Sequence, residues 1–192
     1  MESTYLSIDL DFWDELRTYT HLRKFLKKVK RTTDNIEIVD SHESLKPHVN
    51  KSHCQNLINV DFHSDICDIN FKKERLNCGN WVNYVNTRFS GNFIWIHPHP
   101  KDCLTKGYCH DEYAGDEKII NPFVNPQIAN WNHTKKIFNH TPEKFIPWDS
   151  VTAVGIAFSY YWLRLGENDG IVEVAKEVFD YRPPYNHKAR FK

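Results

Sequence analysis

Three short stretches of the chain concentrate carboxylate and imidazole side chains. Ser7-Ile8-Asp9-Leu10-Asp11-Phe12 sets Asp9 and Asp11 one residue apart, and Val60-Asp61-Phe62-His63-Ser64-Asp65 does the same for Asp61, His63 and Asp65. Val39-Asp40-Ser41-His42-Glu43 adds His42. Side chains two residues apart on an extended backbone point the same way, so each stretch presents its ligands to one side. Carboxylates packed together without a cation repel and raise one another's pKa, and a divalent ion is the simplest compensating charge. Many carboxylates, a minority of imidazoles and no thiolate suit manganese or iron better than structural zinc. Two ions roughly 3.5 to 4 Å apart, sharing bridging carboxylates, could hold a hydroxide and present it to an electrophilic carbon. The competing reading, that each acid caps a helix or closes a turn, suits one Asp after a strand better than it suits the joint set.

Each stretch ends or follows a run that reads as a strand. Such runs are Tyr5 to Asp9, Ile36 to Asp40, Leu57 to Asp61, Phe93 to His97 and Val151 to Phe158. Most are continuously apolar rather than alternating, as strands of a parallel sheet covered on both faces are. Helical periodicity lies between them: Leu16, Tyr19, Leu22, Leu26 and Val29; then Trp81, Val85 and Phe89; then Ile171, Val174, Ala175 and Val178. Strand and helix alternate, which predicts an α/β fold with a mainly parallel sheet. Ligands at the carboxyl ends of such strands converge on one crevice although they are distant in sequence. The stretch from Pro98 to Pro147 is rich in Pro, Asn, His and Gly, and it reads as long loops with short helices.

Composition narrows the classes further. At 192 residues and 22.8 kDa the chain suits one domain, 1–192, with a real core. Its 25 basic and 25 acidic residues cancel, so no global field draws it to nucleic acid or to an anionic membrane. The basic side of the first helical segment, Arg17, Arg23, Lys24, Lys27, Lys28 and Lys30, reads as solvated surface. No apolar run approaches a membrane span, and the start lacks a secretory pattern, so the expectation is a soluble, unprocessed, cytoplasmic protein. Five scattered cysteines, Cys54, Cys67, Cys78, Cys103 and Cys109, fit a reducing compartment better than a disulfide framework. Cys103 and Cys109-His110 do not complete a zinc site, Ser159 lacks a Gly-x-Ser-x-Gly elbow, and with seven glycines in all no phosphate-binding glycine loop exists.

Val-Asp-Phe-His-Ser-Asp at 60–65 resembles the Asp-Ala-His-x-Asp motif of the arginase and agmatinase (ureohydrolase) family, whose superfamily includes the histone deacetylases. Ser-Ile-Asp-Leu-Asp-Phe at 7–12 resembles that family's Ser-x-Asp-x-Asp motif. A closer resemblance is to an arginase-related family of unassigned activity, through Asp61 to Asp65, Asn80-Trp81, Trp95-Ile96-His97-Pro98, Ser7 to Phe12 and Ile156 to Ser159. The resemblance implies a three-layer α/β/α sandwich of arginase/deacetylase type. It also implies a di-manganese centre held by Asp9, Asp11, His42, Asp61, His63 and Asp65, and hydrolysis of a carbon–nitrogen bond, amide or amidine, by metal-bound hydroxide.

The chain departs from the arginase pattern in two ways. The Asp-x-Asp element precedes the Asp-x-His-x-Asp element, a circularly permuted order. The segment Cys78-Gly79-Asn80-Trp81-Val82-Asn83 has no proton-shuttling histidine, and the late glutamate that holds a guanidinium has no counterpart, which argues against arginine or agmatine as substrate. His97 and His99 are the replacement candidates for moving the proton, since imidazole titrates near neutrality. Asn80 is a candidate substrate contact and Trp81 a candidate pocket wall. Two alternatives stay open: a binding module that keeps the fold without turnover, and a metal-dependent phosphoesterase. The oligomeric state is not legible.

Overall fold

The computed structural model describes residues 2–13, 19–63, 65, 76, 81–85, 91–98, 133–159 and 169–181. Its strands are β1 (Thr4–Asp9), β2 (Ile36–Val39), β3 (Asn56–Val60), β4 (Asn92–His97), β5 (His133–Phe138) and β6 (Val151–Ala157). They form one six-stranded sheet in the order β2-β6-β1-β3-β4-β5, and every pairing is parallel. The helices are α1 (Tyr19–Thr32), α2 (Lys46–Ser52) and α3 (Asp169–Phe179). The α/β class expected from the alternation of runs is thus the observed one.

Every residue of β1 is buried, because this central strand is covered on both faces. Leu6 and Ile8 of β1, Ile58 and Val60 of β3, Ile96 of β4, and Val154 and Ile156 of β6 pack against Leu22, Phe25, Leu26 and Val29 of α1 and Ile171, Val174 and Ala175 of α3. The alternate residues, Tyr5, Leu57, Phe93, Trp95, Ala153 and Ala157, face the other way, toward Leu45, Val49 of α2, Trp81 and Val82. Helical and strand periodicities therefore meet in two apolar layers, one on each side of the sheet.

The basic side of α1 is partly occupied by tertiary contacts. Arg23 pairs with Glu177 of α3 at 2.9 Å, Lys30 donates to the carbonyl of Val178 at 2.6 Å, and the Lys28 ammonium lies 4.3 Å from the Trp148 ring centre. These contacts tie α1 to its neighbours, while Lys24, Lys27, Lys28 and Lys30 stay exposed; Arg17 lies outside the described residues. Among the described residues no helix is long and apolar enough to cross a membrane.

Two local expectations need correction. Trp81 and Val85 do not begin a regular helix among the described residues: Trp81–Tyr84 is a single 3-10 turn, and Phe89 lies outside them. The stretch from Pro98 to Pro147 holds a sixth strand, β5, whose sequence His-Thr-Lys-Lys-Ile-Phe lacks an apolar run because it lies at the sheet edge. Helix α2 was also not legible: seven residues are too few for a periodic stripe, although Pro47 in its first turn is a start signal.

The path of the chain locates a topological switch point. From β1 it crosses to β2 on one side of the sheet, whereas from β3 it goes to β4 on the other. The connections leaving two adjacent strands diverge, so the carboxyl ends of β1 and β3 mark the switch point where α/β sheets place ligands.

Candidate metal centre

Two rows of side chains cross the sheet face at that switch point. In the lower row Gly155, Ser7, Asn59 and Trp95 are register neighbours on β6, β1, β3 and β4. One step beyond, Asp9 pairs with Ala157, while Asp61 follows β3 and His97 ends β4. Ser7, Asp9, Asn59, Asp61 and His97 are all buried, a polar tract in an otherwise apolar layer.

His42 reaches this tract from the far side of β6. It opens the 3-10 turn His42–Leu45 after edge strand β2, two strands away from β1. The intervening strand offers only Ala153, Gly155 and Ala157 on that face, so the turn lies close against the sheet. Gly155 is essential to the approach: a Cβ there would stand 2.4 Å from the Tyr5 hydroxyl and 2.7 Å from both Leu45 methyl carbons.

The result is a convergence of donor atoms. His42 Nδ1 lies 3.2 Å from Asp9 Oδ2, 3.0 Å from Asp61 Oδ2 and 2.7 Å from Asp65 Oδ2. His63 Nδ1 lies 3.2 Å from Asp11 Oδ2 and 3.7 Å from Asp61 Oδ1. The sets Asp9, His42, Asp61 and Asp11, Asp61, His63 each bring their ligand atoms within 4.8 Å of one another. Asp61 belongs to both, with one oxygen turned toward each histidine.

The donors fit a divalent cation. Ligands roughly 2.1 Å from a shared ion stand roughly 3 Å apart along an octahedral edge, close to the His42 distances. His42 Nδ1 and Asp11 Oδ2 are buried and make no hydrogen bond despite these neighbours. A single imidazole proton could serve only one of the three oxygens around Nδ1.

Electrostatics point the same way. Burial, then the charges of Asp9 and Asp61, push the Asp11 carboxyl up to about 8. Burial followed by Asp61 likewise raises Asp65 well above the carboxylate range. Burial opposes the charge on Asp61 as well, but His42 and His63 outweigh it and hold this carboxyl far below its usual value. Burial also disfavours charge on both histidines, and the surrounding carboxylates overcome it and keep them protonated. In the metal-free chain protons supply the positive charge that a cation would bring.

A supporting layer holds the ligands in place. His42 Nε2 lies 2.6 Å from the Ser7 hydroxyl, leaving Nδ1 for the cluster. Asn59 donates to Asp61 Oδ2 at 3.1 Å, and Trp81 Nε1 donates to Asp65 Oδ2 at 2.5 Å. The Asp11 amide donates to Asp9 Oδ1 at 3.2 Å, the His63 amide to Asp61 Oδ1 at 2.8 Å, and the Trp95 indole to the Asp61 carbonyl at 2.9 Å. Asp65 takes a left-handed backbone, φ 56, beneath the Trp81 indole.

All six sequence-derived ligand candidates therefore meet at one place. Trp81, expected at a pocket wall, is wholly enclosed, with its ring 4.9 Å from that of His42 and its N–H on Asp65. His97 is buried, with its ring 5.1 Å from Phe62 and 5.4 Å from Trp95. His99, Asn80, Cys103, Cys109 and His110 lie outside the described residues. The supporting roles of Ser7 and Asn59 were not foreseen. The available signal was a polar residue inside each of two otherwise apolar strand runs. No protein-family model matches the chain, and neither the curated proteins nor the solved structures contain a match.

Proposed function

We propose that the Asp/His cluster is a binuclear divalent-metal centre, with manganese its preferred ion, and that the protein hydrolyses a carbon–nitrogen bond in an amide or amidine. The division of Asp61 between His42 and His63 carries this reading: a carboxylate with one oxygen in each of two ligand sets is the arrangement of a bridging ligand. Asp9, His42 and Asp65 would complete the inner position, and Asp11 and His63 the outer one. When bound, such a pair supplies Lewis acidity and lowers the pKa of a shared water.

The chain's own groups would do the rest. Ser7, Asn59 and Trp81 orient ligands, and His97, on the edge beside Asp61, would move the proton, with His99 the second candidate for that role. Asn80 remains a candidate substrate contact. The same reading takes the fold as a three-layer sandwich of arginase/deacetylase type with permuted motif order. Its support is that β1 and β3 are sheet neighbours with parallel registers, so their carboxyl ends meet whichever strand comes first in the chain.

The test is to load the chain with Mn²⁺ and screen amides and amidines for amine or ammonia release, beside Asp61→Asn. Turnover that the variant lacks supports the hydrolase. Tight Mn²⁺ binding with no turnover of any substrate would favour a binding module, the reading that the missing shuttle histidine in 78–83 supports.

A further inference from the structure

We propose that Ser159 is a positioning residue of this centre, its hydroxyl fixing the Asp9 carboxylate in the orientation that the inner metal position requires; the inference rests on the metal-centre reading above. Ser159 lies two residues beyond the end of β6 and is buried, at 3% exposure. Ala157 is the register partner of Asp9, and the chain leaving β6 brings residue 159 to Asp9.

Two observations single it out. The first is its backbone, held in the left-handed region at φ 45, where residues other than glycine, asparagine and aspartate are uncommon. Glycine would take this conformation without steric cost, so a serine there calls for a side-chain reason. The second supplies it: the Ser159 hydroxyl donates a hydrogen bond to Asp9 Oδ2. That oxygen is the one 3.2 Å from His42 Nδ1, while the other oxygen of Asp9 accepts the Asp11 amide. The two donors, one from the turn after β1 and one from beyond β6, grip the carboxylate and stop it rotating. Without the hydroxyl, the Asp11 amide and the His42 ring would be left to hold it.

The chemistry of the donor matters too. A lysine or arginine at this position would bring a charge that competes with the cation, whereas a neutral hydroxyl orients the carboxylate and leaves its charge for the metal. Ser7 stands in the same relation to His42, and Asn59 to Asp61, so Asp9, His42 and Asp61 each have a neutral side-chain partner.

The experiment is calorimetric titration of the full chain with Mn²⁺, for wild type, Ser159→Ala and Ser159→Gly, with urea denaturation of each metal-free protein. Both variants lose the hydroxyl, but only glycine relaxes the backbone. The expected result is that both bind Mn²⁺ about 10- to 100-fold more weakly, by similar factors, while Ser159→Gly is the more stable of the two. Should Ser159→Ala fail to fold, Ser159→Gly carries the test alone. A folded variant that binds Mn²⁺ as tightly as wild type would overturn the proposal. So would an affinity loss in Ser159→Ala that Ser159→Gly does not share, since backbone strain would then be the cause. If wild type itself binds no Mn²⁺, the metal-centre reading falls and this inference falls with it, an outcome visible before any variant is compared.

Discussion

His42 Nδ1 and Asp61 Oδ2 stand 3.0 Å apart in a fully buried site, yet the nitrogen makes no hydrogen bond. Asp9 Oδ2 and Asp65 Oδ2 crowd the same nitrogen, at 3.2 and 2.7 Å. Buried polar atoms normally find partners, and where they do not an ion is among the standard explanations. The other oxygen of Asp61 faces His63, whose side chain is 19% exposed, so the two positions differ in their access to water.

That sharing makes the ligands unequal under mutation. Asp61→Asn is expected to abolish binding of both ions, because it removes charge from both positions at once. His63→Ala should leave one Mn²⁺ per chain, held by Asp9, His42, Asp61 and Asp65. Plasma mass spectrometry of the desalted proteins checks both outcomes. Equal losses in the two variants would mean that the positions fill as a unit.

Proton competition gives a second test. Asp11, pushed up to about 8 by burial and by the charges of Asp9 and Asp61, holds its proton in the metal-free fold well above its unfolded pKa of about 4. A carboxyl with a raised folded pKa contributes stability that is complete below about pH 4 and is lost as pH rises through 8. Metal must displace that proton together with those on His42 and His63, so Mn²⁺ affinity should climb with pH by about tenfold per unit for each proton displaced, with the slope falling by one proton as pH passes about 8. Titrations from about pH 6 to pH 9 check the slope. A flat profile would exclude a protonated Asp11 from the binding step.

Gly155→Ala probes the route by which His42 reaches the centre. A Cβ there would meet the Tyr5 hydroxyl and both Leu45 methyls at 2.4 to 2.7 Å, so these buried side chains would have to shift, and the 3-10 turn that carries Leu45 also carries His42. Overpacking of this kind costs about 1–3 kcal/mol in urea denaturation, and Mn²⁺ affinity should fall alongside. Lost stability with intact affinity would show that His42 does not depend on this close packing.

Much of this arrangement was legible in the sequence for a physical reason. Strands buried on both faces must be written as apolar runs, so β1, β2, β3, β4 and β6 stood out within about a residue of their ends. Ligands at strand ends break those runs with charge, which is why Asp9, Asp61 and His42 were conspicuous. Edge strand β5 had no such run, and α2 was too short for a stripe. What the sequence did not disclose was the supporting layer. Ser7, Asn59 and Ser159 gain their roles only from registers between strands far apart in the chain, such as Ser7 beside both Asn59 and Gly155. The crossing of His42 over β6 depends on Gly155, whose small size has meaning only once Tyr5 and Leu45 are its neighbours.

The central claim is that two ions share Asp61, and electron paramagnetic resonance of the chain loaded with two equivalents of Mn²⁺ tests it most directly. Ions bridged by one carboxylate are magnetically coupled, so the expected spectrum is that of an exchange-coupled pair, lost in Asp61→Asn. A spectrum of isolated Mn²⁺ at full loading would contradict a shared carboxylate and with it the binuclear centre.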